Sequence, residues 1–484
     1  MSPQVVAATI AGGVGVLTLV GTVLVQIIGF RLTRANTERQ IKATHKDTAD
    51  TLEQQREQLE RTLAAQSGQL DRTLAEQRTR TLNERFATAA QQLGTDNAPA
   101  VRLAGIYAMA GLADDWEEHR QTCVDVLCAY LRMPYEPDPG GAAPASEQLA
   151  FRANRESRHT IIRVIAAHLH DTAVVSWQGL NFDFTGVVFD GGSFDEANFS
   201  GGEISFRGAV FPGGRVDFRH ANFTGARMDF GGAVFSGGTI YFSGSQFSRG
   251  EVGFGDAVFS AGRADFSGAV FSGTRMGFGG AEFCGAEVSF SEAEISGGLG
   301  FGGAVFSAGR VDLTGARFPK GIAAFTSARF SGGTVYISGA EFCGGQVSFA
   351  LAEFSGGQVH FDGSEFSAGK VSFAGANFTG AKVSFEAASF SGAEVSFEAA
   401  VFRADVTFSH ATFSGGQVDF GSAMFDRGTV SFAVAGFSGG AVSFEQAWFS
   451  GGEVDLSLAA DWSSPPRFPQ TPADGIKLPG KGRP

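Results

Sequence analysis

The sequence has few tyrosines, tryptophans and cysteines, and it has fewer charged residues than most globular proteins. Only five Tyr, four Trp and four Cys occur among 484 residues, and 18% of the residues are charged. Four scattered Cys are too few for a disulfide framework, so the chain fits a reducing compartment. The formal net charge of −13 lacks the basic excess that general nucleic-acid binders use to neutralise phosphates. Composition therefore argues against a disulfide-stapled scaffold and against direct nucleic-acid binding.

Glycine and phenylalanine are abundant instead, with 68 Gly and 48 Phe. The core of an ordinary enzyme mixes Leu, Ile, Val and Phe. One dominant large apolar residue together with abundant Gly is typical of a repeated structural unit.

Residues 1–30 predict a transmembrane anchor. No charged residue occurs from Val5 to Phe30, and these 26 residues suffice to cross a hydrocarbon core of about 30 Å. A cleaved signal peptide is the alternative, but residues 1–4 carry no Lys or Arg and the apolar run is long for one. Basic residues follow the span at Arg31, Arg34, Arg39, Lys42 and Lys46. By the positive-inside rule they predict a single-pass protein of the cell membrane whose C-terminal part is cytoplasmic.

Residues 31–85 predict a coiled-coil stalk with an eleven-residue repeat. Apolar residues recur at this spacing at Ile41, Leu52, Leu63 and Leu74, and again at Leu59 and Leu70. Eleven residues over three helical turns give a straight or slightly right-handed stripe. The stripe is narrow and rich in Gln, so self-association into a homo-oligomer would cover it. The alternative is a solvated helical stalk that only holds the next domain away from the membrane.

Residues 86–133 predict a small helical module, residues 134–152 a linker, and residues 153–172 an amphipathic helix. Asp96 and Asn97 offer a helix cap, with Pro99 in the first turn. Cys123 and Cys128 are five residues apart, share no helical face, and are interpreted as small core residues rather than metal ligands. Three histidines are interpreted as surface or helix-end residues: His159, His168 and His170.

Beyond Trp177 the sequence repeats with a short period. Phe184, Phe189, Phe194 and Phe199 are spaced by five, and the pattern then becomes a twelve-residue double unit with a five-residue half and a seven-residue half. The leading residues of this longer unit are Phe199, Phe211, Phe223, Phe235, Phe247, Phe259, Phe271, Phe283, Ile295, Phe306, Phe318, Phe330, Phe342, Phe354, Phe366, Phe378, Phe390, Phe402, Phe413, Phe425, Phe437 and Phe449. The steps after Ile295 and after Phe402 are one residue shorter than the others, and each loses that residue in the seven-residue half. We place both losses in loops, because a loop can lose a residue whereas an inward pair cannot.

Each unit contains the pairs Ala-x-Phe and Val-x-Phe, which place both apolar residues on one side of an extended stretch. A helix is excluded by the frequency of Gly and by a spacing that drifts away from 3.6 residues. Ser-Gly-Gly or Thr-Gly-Ala then turns the corner. Twelve residues provide two faces of a coil. We expect coils with four faces, so that each coil takes two double units, or about 24 residues. About 11 such coils would stack into a solenoid.

Units such as Phe182-Asp-Phe184-Thr-Gly and Ala197-Asn-Phe199-Ser-Gly resemble the pentapeptide-repeat family, whose unit is small, polar, Leu or Phe, polar, Gly. The resemblance implies a mainly β fold, a right-handed quadrilateral parallel β-helix over residues 173–458, behind the transmembrane helix, coiled coil and helical module. The organisation of residues 1–170 looks like that of a group of bacterial membrane proteins with pentapeptide repeats. Residues 459–484 are rich in Pro and predict a disordered tail.

No residue set predicts a catalytic, cofactor-binding or metal site, and no cofactor is expected. Gly277–Gly280 imitates a phosphate loop, but no Gly-Lys-Ser/Thr follows it. Cys284 and Cys343 stand where Ser usually follows the leading Phe, at outward or corner positions. The sequence therefore predicts a non-enzymatic membrane-anchored scaffold whose β-helix surface binds an unidentified protein partner, with no direct nucleic-acid binding.

Two alternatives remain open. Some pentapeptide-repeat proteins mimic duplex DNA and bind DNA gyrase, and residues 181–456 of this chain hold 28 Asp and Glu against 15 Lys and Arg. The membrane anchor and the interspersed basic residues argue against such mimicry. The other alternative is an enzyme in the helical module.

Overall fold

A computed structural model of the protein describes residues 3–136, 138–469 and 474–480. Side chains are described at residue 15 and from residue 17 onward. The chain forms two compact units, Met1–Asn83 and Glu84–Pro484. Each unit is described by itself below.

Helix α1 extends without a break from Pro3 to Gln92, so the predicted anchor and stalk belong to one continuous helix. Beginning at Leu17, it contains an 18-residue window with a mean hydropathy of 1.3 and no buried residue, and by length and composition it is a candidate membrane span. Every leucine of the eleven-residue stripe is more than half exposed, from 54% at Leu74 to 63% at Leu52. The stripe is therefore helical and uncovered within one chain, while the coiled coil itself stays a prediction.

The helical module contains α2 (Pro99–Asp115), a short 3-10 turn (Glu117–His119) and α3 (Arg120–Arg132). Pro99 opens α2 as predicted, but no side chain caps that helix. Asn97 instead donates its side-chain amide to the carbonyl oxygens of Gln91 and Gln92 and so closes the C-terminal end of α1. The predicted cap of α2 is therefore wrong, because Asn97 caps the preceding helix instead.

Helix α4 extends from Ala145 to Leu169 and begins well inside the segment that the sequence assigns to the linker. Pro144 precedes it, and the residues that follow include good helix formers such as Ala145 and Glu147. The prediction relied on the buried apolar stripe, which begins only near Ser157. The first turns of α4 carry no such stripe, so the hydrophobic pattern missed them.

A parallel β-solenoid of about 12 turns forms the rest of the second unit. All its strand pairs are parallel, and each residue pairs with its equivalent one coil later, as in Phe199 with Phe223 and Phe211 with Phe235. One sheet contains Phe182–Asp183, Asn198–Ser200, Glu203–Ser205, Asn222–Thr224, Arg227–Asp229, Gln246–Gly253, Val270–Gly277, Glu294–Ile295, Gly298–Gly300, Arg317–Phe318, Ile322–Ala324, Glu341–Ser348, Glu365–Ser372, Ser389–Phe390, Glu394–Ser396, Thr412–Phe413, Gln417–Asp419, Gly436–Phe437 and Ala441–Ser443. We call it the first sheet.

The second sheet contains Gly192–Ser193, Val210–Phe211, Arg215–Asp217, Val234–Tyr241, Val258–Asp265, Glu282–Ser289, Val305–Asp312, Arg329–Tyr336, Glu353–His360, Asn377–Phe378, Lys382–Ser384, Val401–Phe402, Val406–Thr407, Met424–Phe425, Thr429–Ser431, Trp448–Phe449, Glu453–Asp455 and Ile476–Lys477. Each coil contributes one double unit to each sheet, so a coil takes two double units, as the spacing predicted.

The core consists of four columns of aromatic rings, two from each sheet. In one column the centroids of Phe211, Phe235 and Phe259 follow one another at 4.8 and 4.5 Å, with planes within 3° of parallel. The two inner columns meet edge to face, as where the Phe230 and Phe242 centroids lie 6.1 Å apart at 88°. Such pairs contribute about 0.5–1.5 kcal/mol each beyond their burial. The inward prediction for these Phe residues is confirmed.

Each of the two shortened double units is one residue shorter than the others, and the missing residue falls at a corner of the coil. Phe271 pairs with Ile295 at the full repeat spacing, whereas Met276 pairs with Leu299, one position short of it. The residue is therefore missing between Ile295 and Leu299, where the chain turns. The step after Phe402 behaves in the same way. The inward pairs stay in register, as predicted.

The segment predicted to be a disordered tail differs from that expectation over its described residues, 459–469 and 474–480. Trp462 meets Phe437 edge to face at 5.5 Å, and the Phe468 ring stacks on Phe444 at 5.6 Å. Ile476 pairs with Val454 in the second sheet. These apolar residues add one irregular coil that covers the end of the aromatic columns. Prolines break the repeat pattern here, which is why the sequence indicated disorder.

Candidate functional site

The residues that the sequence singled out lie apart from one another. Cys123 and Cys128 lie on α3 and are fully buried, and burial raises the pKa of their thiols to about 11 and about 12. Such thiols are protonated at neutral pH and serve as small apolar core residues. Cys284 is half-buried and Cys343 exposed, both on the solenoid surface. Within the described residues, no group of three or more His, Cys, Asp and Glu is arranged to hold a metal ion.

One polar cluster joins α4 and the segment that follows α3 to the first coil of the solenoid. Asp190 is at its centre: Tyr135 Oη donates to Asp190 Oδ2 over 2.7 Å, Arg155 Nε donates to the same oxygen over 3.0 Å, and His159 Nε2 lies 2.9 Å from Asp190 Oδ1. Arg158 donates to the carbonyl oxygens of Leu131 on α3 and Val188 on the solenoid, at 2.7 and 2.9 Å. We call Tyr135, Arg155, Arg158, His159 and Asp190 the Asp190 clasp.

The pKa values of the clasp show that it favours an ionised Asp190. Burial alone would raise the pKa of this carboxyl, but hydrogen bonds from His159 and Tyr135 and the nearby charge of Arg155 hold it below its usual value. Burial, together with the Asp190 hydrogen bond, raises the pKa of Tyr135. The clasp thus holds one carboxylate with three donors. This arrangement fixes α4 and Tyr135 on the first coil of the solenoid.

His168 takes part in a second contact of the same kind. Its Nε2 lies 3.2 Å from Asp114 Oδ2, and its ring stacks on Trp177 at 4.0 Å. Trp177 in turn donates its indole N–H to Asp114 Oδ1 at 3.0 Å. His159 and His168 are therefore half-buried structural residues, and the sequence reading of them as surface or helix-end residues missed the carboxylates they meet.

The outer surface of the second sheet carries two adjacent columns of mostly polar side chains in which Arg, Asp and Tyr recur. Two outward positions of each double unit, separated by one buried residue, stack in register over seven coils. One position holds Arg215, Thr239, Arg263, Glu287, Arg310, Thr334 and Gln358, and the other holds Asp217, Tyr241, Asp265, Ser289, Asp312, Tyr336 and His360. We call these fourteen residues the Arg–Tyr strip.

Stacking and ion pairs hold the side chains of the strip in place. The guanidinium carbon of Arg215 lies 4.6 Å from the centroid of the Tyr241 ring, and Arg215 bonds to Asp217 at 2.8 Å. The same arrangement recurs four coils later, where Arg310 lies 4.1 Å from the centroid of the Tyr336 ring and 2.6 Å from Asp312. The structure thus presents two equivalent, preorganised Arg–Asp–Tyr groups on one face.

Sequence reasoning missed both the clasp and the strip. The strip has a signal in the sequence, because Arg-Val-Asp recurs at 215–217 and 310–312, and Thr-x-Tyr recurs at 239–241 and 334–336. Comparing equivalent positions of successive coils would have revealed it. The clasp has no such signal, since Asp190 occupies an ordinary polar position of a five-residue unit.

On the first sheet, charges of opposite sign alternate between coils. Glu203, Arg227 and Glu251 are vertical neighbours, and Arg227 lies 3.6 Å from Glu203 and 3.9 Å from Glu251. Arg317 bonds to Glu341 at 2.8 Å in another column. Several acidic side chains of this sheet are therefore paired with arginines, and exposed pairs of this kind add little stability.

Comparison with known proteins agrees with this architecture. Residues 184–229 match the family described as pentapeptide repeats (9 copies). No curated protein and no solved structure matches the chain significantly. The matched segment covers the first coils of the solenoid, and the same register continues in the coils that follow.

Proposed function

Because the chain is a pentapeptide-repeat protein, we propose that it is a non-enzymatic scaffold, anchored in the cell membrane by α1, whose solenoid surface binds a protein partner. The candidate span and the basic residues that follow it support a single-pass anchor with a cytoplasmic solenoid. The uncovered leucine stripe of α1 supports a homo-oligomeric stalk.

The observation that carries the proposal is the Arg–Tyr strip. Arg and Tyr are enriched at the centres of protein interfaces, where rigid and well-packed side chains supply most of the binding energy. Here Tyr241 and Tyr336 are half-exposed, and Arg215 and Arg310 are held over their rings. Seven coils at about 4.8 Å make a surface roughly 29 Å long, which is the dimension of a standard protein interface.

The charge pattern favours a scaffold over a DNA mimic. Duplex DNA presents regular rows of uncompensated negative charge. In this solenoid the column of Glu203, Arg227 and Glu251 alternates in sign, and the strip pairs each of its Arg residues with a carboxylate. If mimicry were nevertheless the function, purified residues 172–484 would inhibit supercoiling by gyrase.

The test is a pull-down from native membranes with the full chain as bait. We expect a protein partner that is recovered with the full chain and lost with a chain lacking residues 172–484. The double variant Tyr241→Thr with Tyr336→Thr should lose the partner, whereas Tyr107→Thr on α2, where the side chain is 59% exposed, should retain it. Equal recovery by the full and shortened chains would contradict the scaffold. Equal recovery by the two Tyr variants would exclude the strip as the binding surface.

A further inference from the structure

A row of outward-facing apolar side chains, one half-buried and two exposed, lies on the second sheet near the C-terminal end of the solenoid. Val401, Met424 and Trp448 occupy the same outward position on three consecutive coils and are paired in register. Met424 is 40% exposed and Trp448 69% exposed, whereas the other three Trp are buried or half-buried. We call these three residues the apolar ridge. Exposed Trp and Met in one row are typical of a surface that binds another molecule.

An acidic groove adjoins the turn that leads into Trp448 of the apolar ridge. A cavity of about 420 Å³ is lined by Glu398, Asp419 and Glu445, with Arg467 at one end. Gln446 also lines it, only two residues before Trp448 in the chain. Among the described residues, none of the three carboxylates forms an ion pair, in contrast to the paired charges of the Arg–Tyr strip. The groove and the ridge therefore form one surface with an apolar side and a side on which three carboxylates outnumber one arginine.

The negative charge of the solenoid is concentrated in this region. Residues 386–456 hold nine Asp and Glu and two Arg, a net charge of −7 over 71 residues. Residues 181–385 hold 19 Asp and Glu and 13 Lys and Arg, a net charge of −6 over 205 residues. The charge per residue is thus about three times higher around the groove, which attracts a cationic ligand.

This charge also decides between possible occupants of the ridge. A second copy that docked symmetrically would place two such acidic surfaces against each other, which costs several kcal/mol when like charges meet. An anionic membrane surface would be repelled for the same reason. A protein segment with basic side chains next to apolar ones satisfies both the groove and the ridge.

We propose that the ridge of Val401, Met424 and Trp448 and the groove of Glu398, Asp419 and Glu445 form a docking site for a basic, amphipathic segment of a protein partner. The proposal rests on the scaffold function and deepens it by naming the chemistry of one partner. Trp448 anchors the apolar side chains of the segment, and the three carboxylates receive its Lys or Arg side chains. Binding is therefore expected to weaken as salt concentration rises.

The experiment measures binding of two short fluorescein-labelled peptides to the full chain in a nonionic detergent, with binding to empty micelles subtracted. One peptide alternates Lys with Leu, and the other has Glu in place of every Lys. We expect the Lys–Leu peptide to bind at least about tenfold more tightly than the Glu–Leu peptide. Trp448→Ser and the double variant E398Q with E445Q should each weaken the Lys–Leu peptide by about tenfold, and the double variant should also reduce the salt dependence.

Two matched variants serve as controls. Leu351→Ser removes another exposed apolar side chain, 61% exposed in a turn between the two sheets, and Glu353→Gln removes an exposed carboxylate two coils before the ridge. Both should leave binding unchanged. Since all these side chains are exposed, unchanged thermal melting checks that every variant is folded.

Equal weakening by Trp448→Ser and Leu351→Ser, or equal binding of the two peptides, would overturn the docking site. The result of the peptide-binding experiment can be distinguished from the result of the pull-down that tests the scaffold. A partner recovered from membranes through the solenoid, combined with no preference for the Lys–Leu peptide, would refute this site and leave the scaffold standing. A preference for the Lys–Leu peptide without any recovered partner would support this docking site and refute the scaffold.

Discussion

Among individual residues, the most unusual backbone conformations lie in the turn that ends each seven-residue half. Gly occupies this turn in many units, but Val434 holds it with a φ of 60° and Leu351 with a φ of 57°. A left-handed conformation costs a residue with a Cβ atom roughly 1–2 kcal/mol, and a β-branched side chain is among the least suited to it. The side chain of Val434 is 45% exposed, so its burial does not offset this conformational cost.

We predict that Val434→Gly stabilises the solenoid by about 0.5–1 kcal/mol, because relief of strain exceeds the added flexibility of the unfolded chain. The reciprocal change, Gly363→Val, occurs at the equivalent turn three coils earlier, with a φ of 65° and open space where a Cβ would stand. It should destabilise by about 1–2 kcal/mol. Urea unfolding of both variants measures the two effects. Changes of the same sign in both would disprove the strain argument.

The Asp190 clasp gives a second prediction at the residue scale. The pKa of Asp190 is lowered in the folded protein by its hydrogen bonds from His159 and Tyr135, although burial opposes this. Its contribution to stability is therefore fully present above the unfolded pKa of about 3.9 and is lost as pH falls through the folded pKa. The difference in unfolding free energy between wild type and Asp190→Asn should be constant near neutrality and shrink below about pH 4.

Denaturant melts at a series of pH values measure this difference. Glu147→Gln on α4 is the control, since its side chain is exposed and should show no such pH dependence. A difference that grows as pH falls would contradict the assignment of Asp190 as the ionised centre of the clasp.

For the elements of the fold, the important unit is the column of rings rather than the single strand. Phe378 is fully buried between Phe354 at 4.7 Å and Phe402 at 4.9 Å, whereas Lys382, four residues later, is exposed. Phe378→Asp removes two stacked contacts and buries a charge without a partner. It should cost at least about 3–5 kcal/mol and unfold or truncate the solenoid.

Lys382→Glu in the same unit should change stability by less than about 0.5 kcal/mol. Circular dichroism and limited proteolysis of the full chain distinguish the two variants. Equal tolerance of both would refute the inward and outward assignment on which the solenoid rests.

The repeat period explains why so much of this fold is predictable. Once Phe211 and Phe235 are known to recur one coil apart, both the register and the buried face follow, and even the shortened corner after Ile295 can be placed. The irregular parts could not be read in this way. The first turns of α4 have no buried stripe, and the capping residues Trp462 and Phe468 have no periodic neighbours beyond them.

The candidate surfaces were less predictable than the core for a related reason. Inward positions hold mainly apolar residues, mostly Phe, Ala and Val, so a single unit reveals them. Outward positions differ from coil to coil, and the Arg–Tyr strip becomes visible only when residues such as Arg215 and Tyr241 are aligned across coils. The apolar ridge depends in addition on how far Trp448 is exposed, which is a property of the folded surface.

At the scale of the whole molecule, the proposed homo-oligomeric stalk has a testable consequence. The stripe of α1 leaves Leu63 and Leu74 55% and 54% exposed, and exposed leucines at an eleven-residue spacing are covered when parallel helices associate. Anchors in the same membrane would bring the stalks side by side in one orientation. Several solenoids would then be presented together, and their avidity for a multivalent partner would exceed that of one solenoid.

We predict that Leu63→Lys combined with Leu74→Lys converts the full chain in nonionic detergent from an oligomer to a monomer, because charges on the stripe repel one another and cannot be buried. Ala65→Lys adds charge to the opposite side of the same helix and should leave the oligomer intact. Light scattering coupled to size-exclusion chromatography, corrected for bound detergent, gives the mass of each variant. A monomeric wild type would show that the stripe is only the surface of a solvated stalk, and the avidity argument would fail with it.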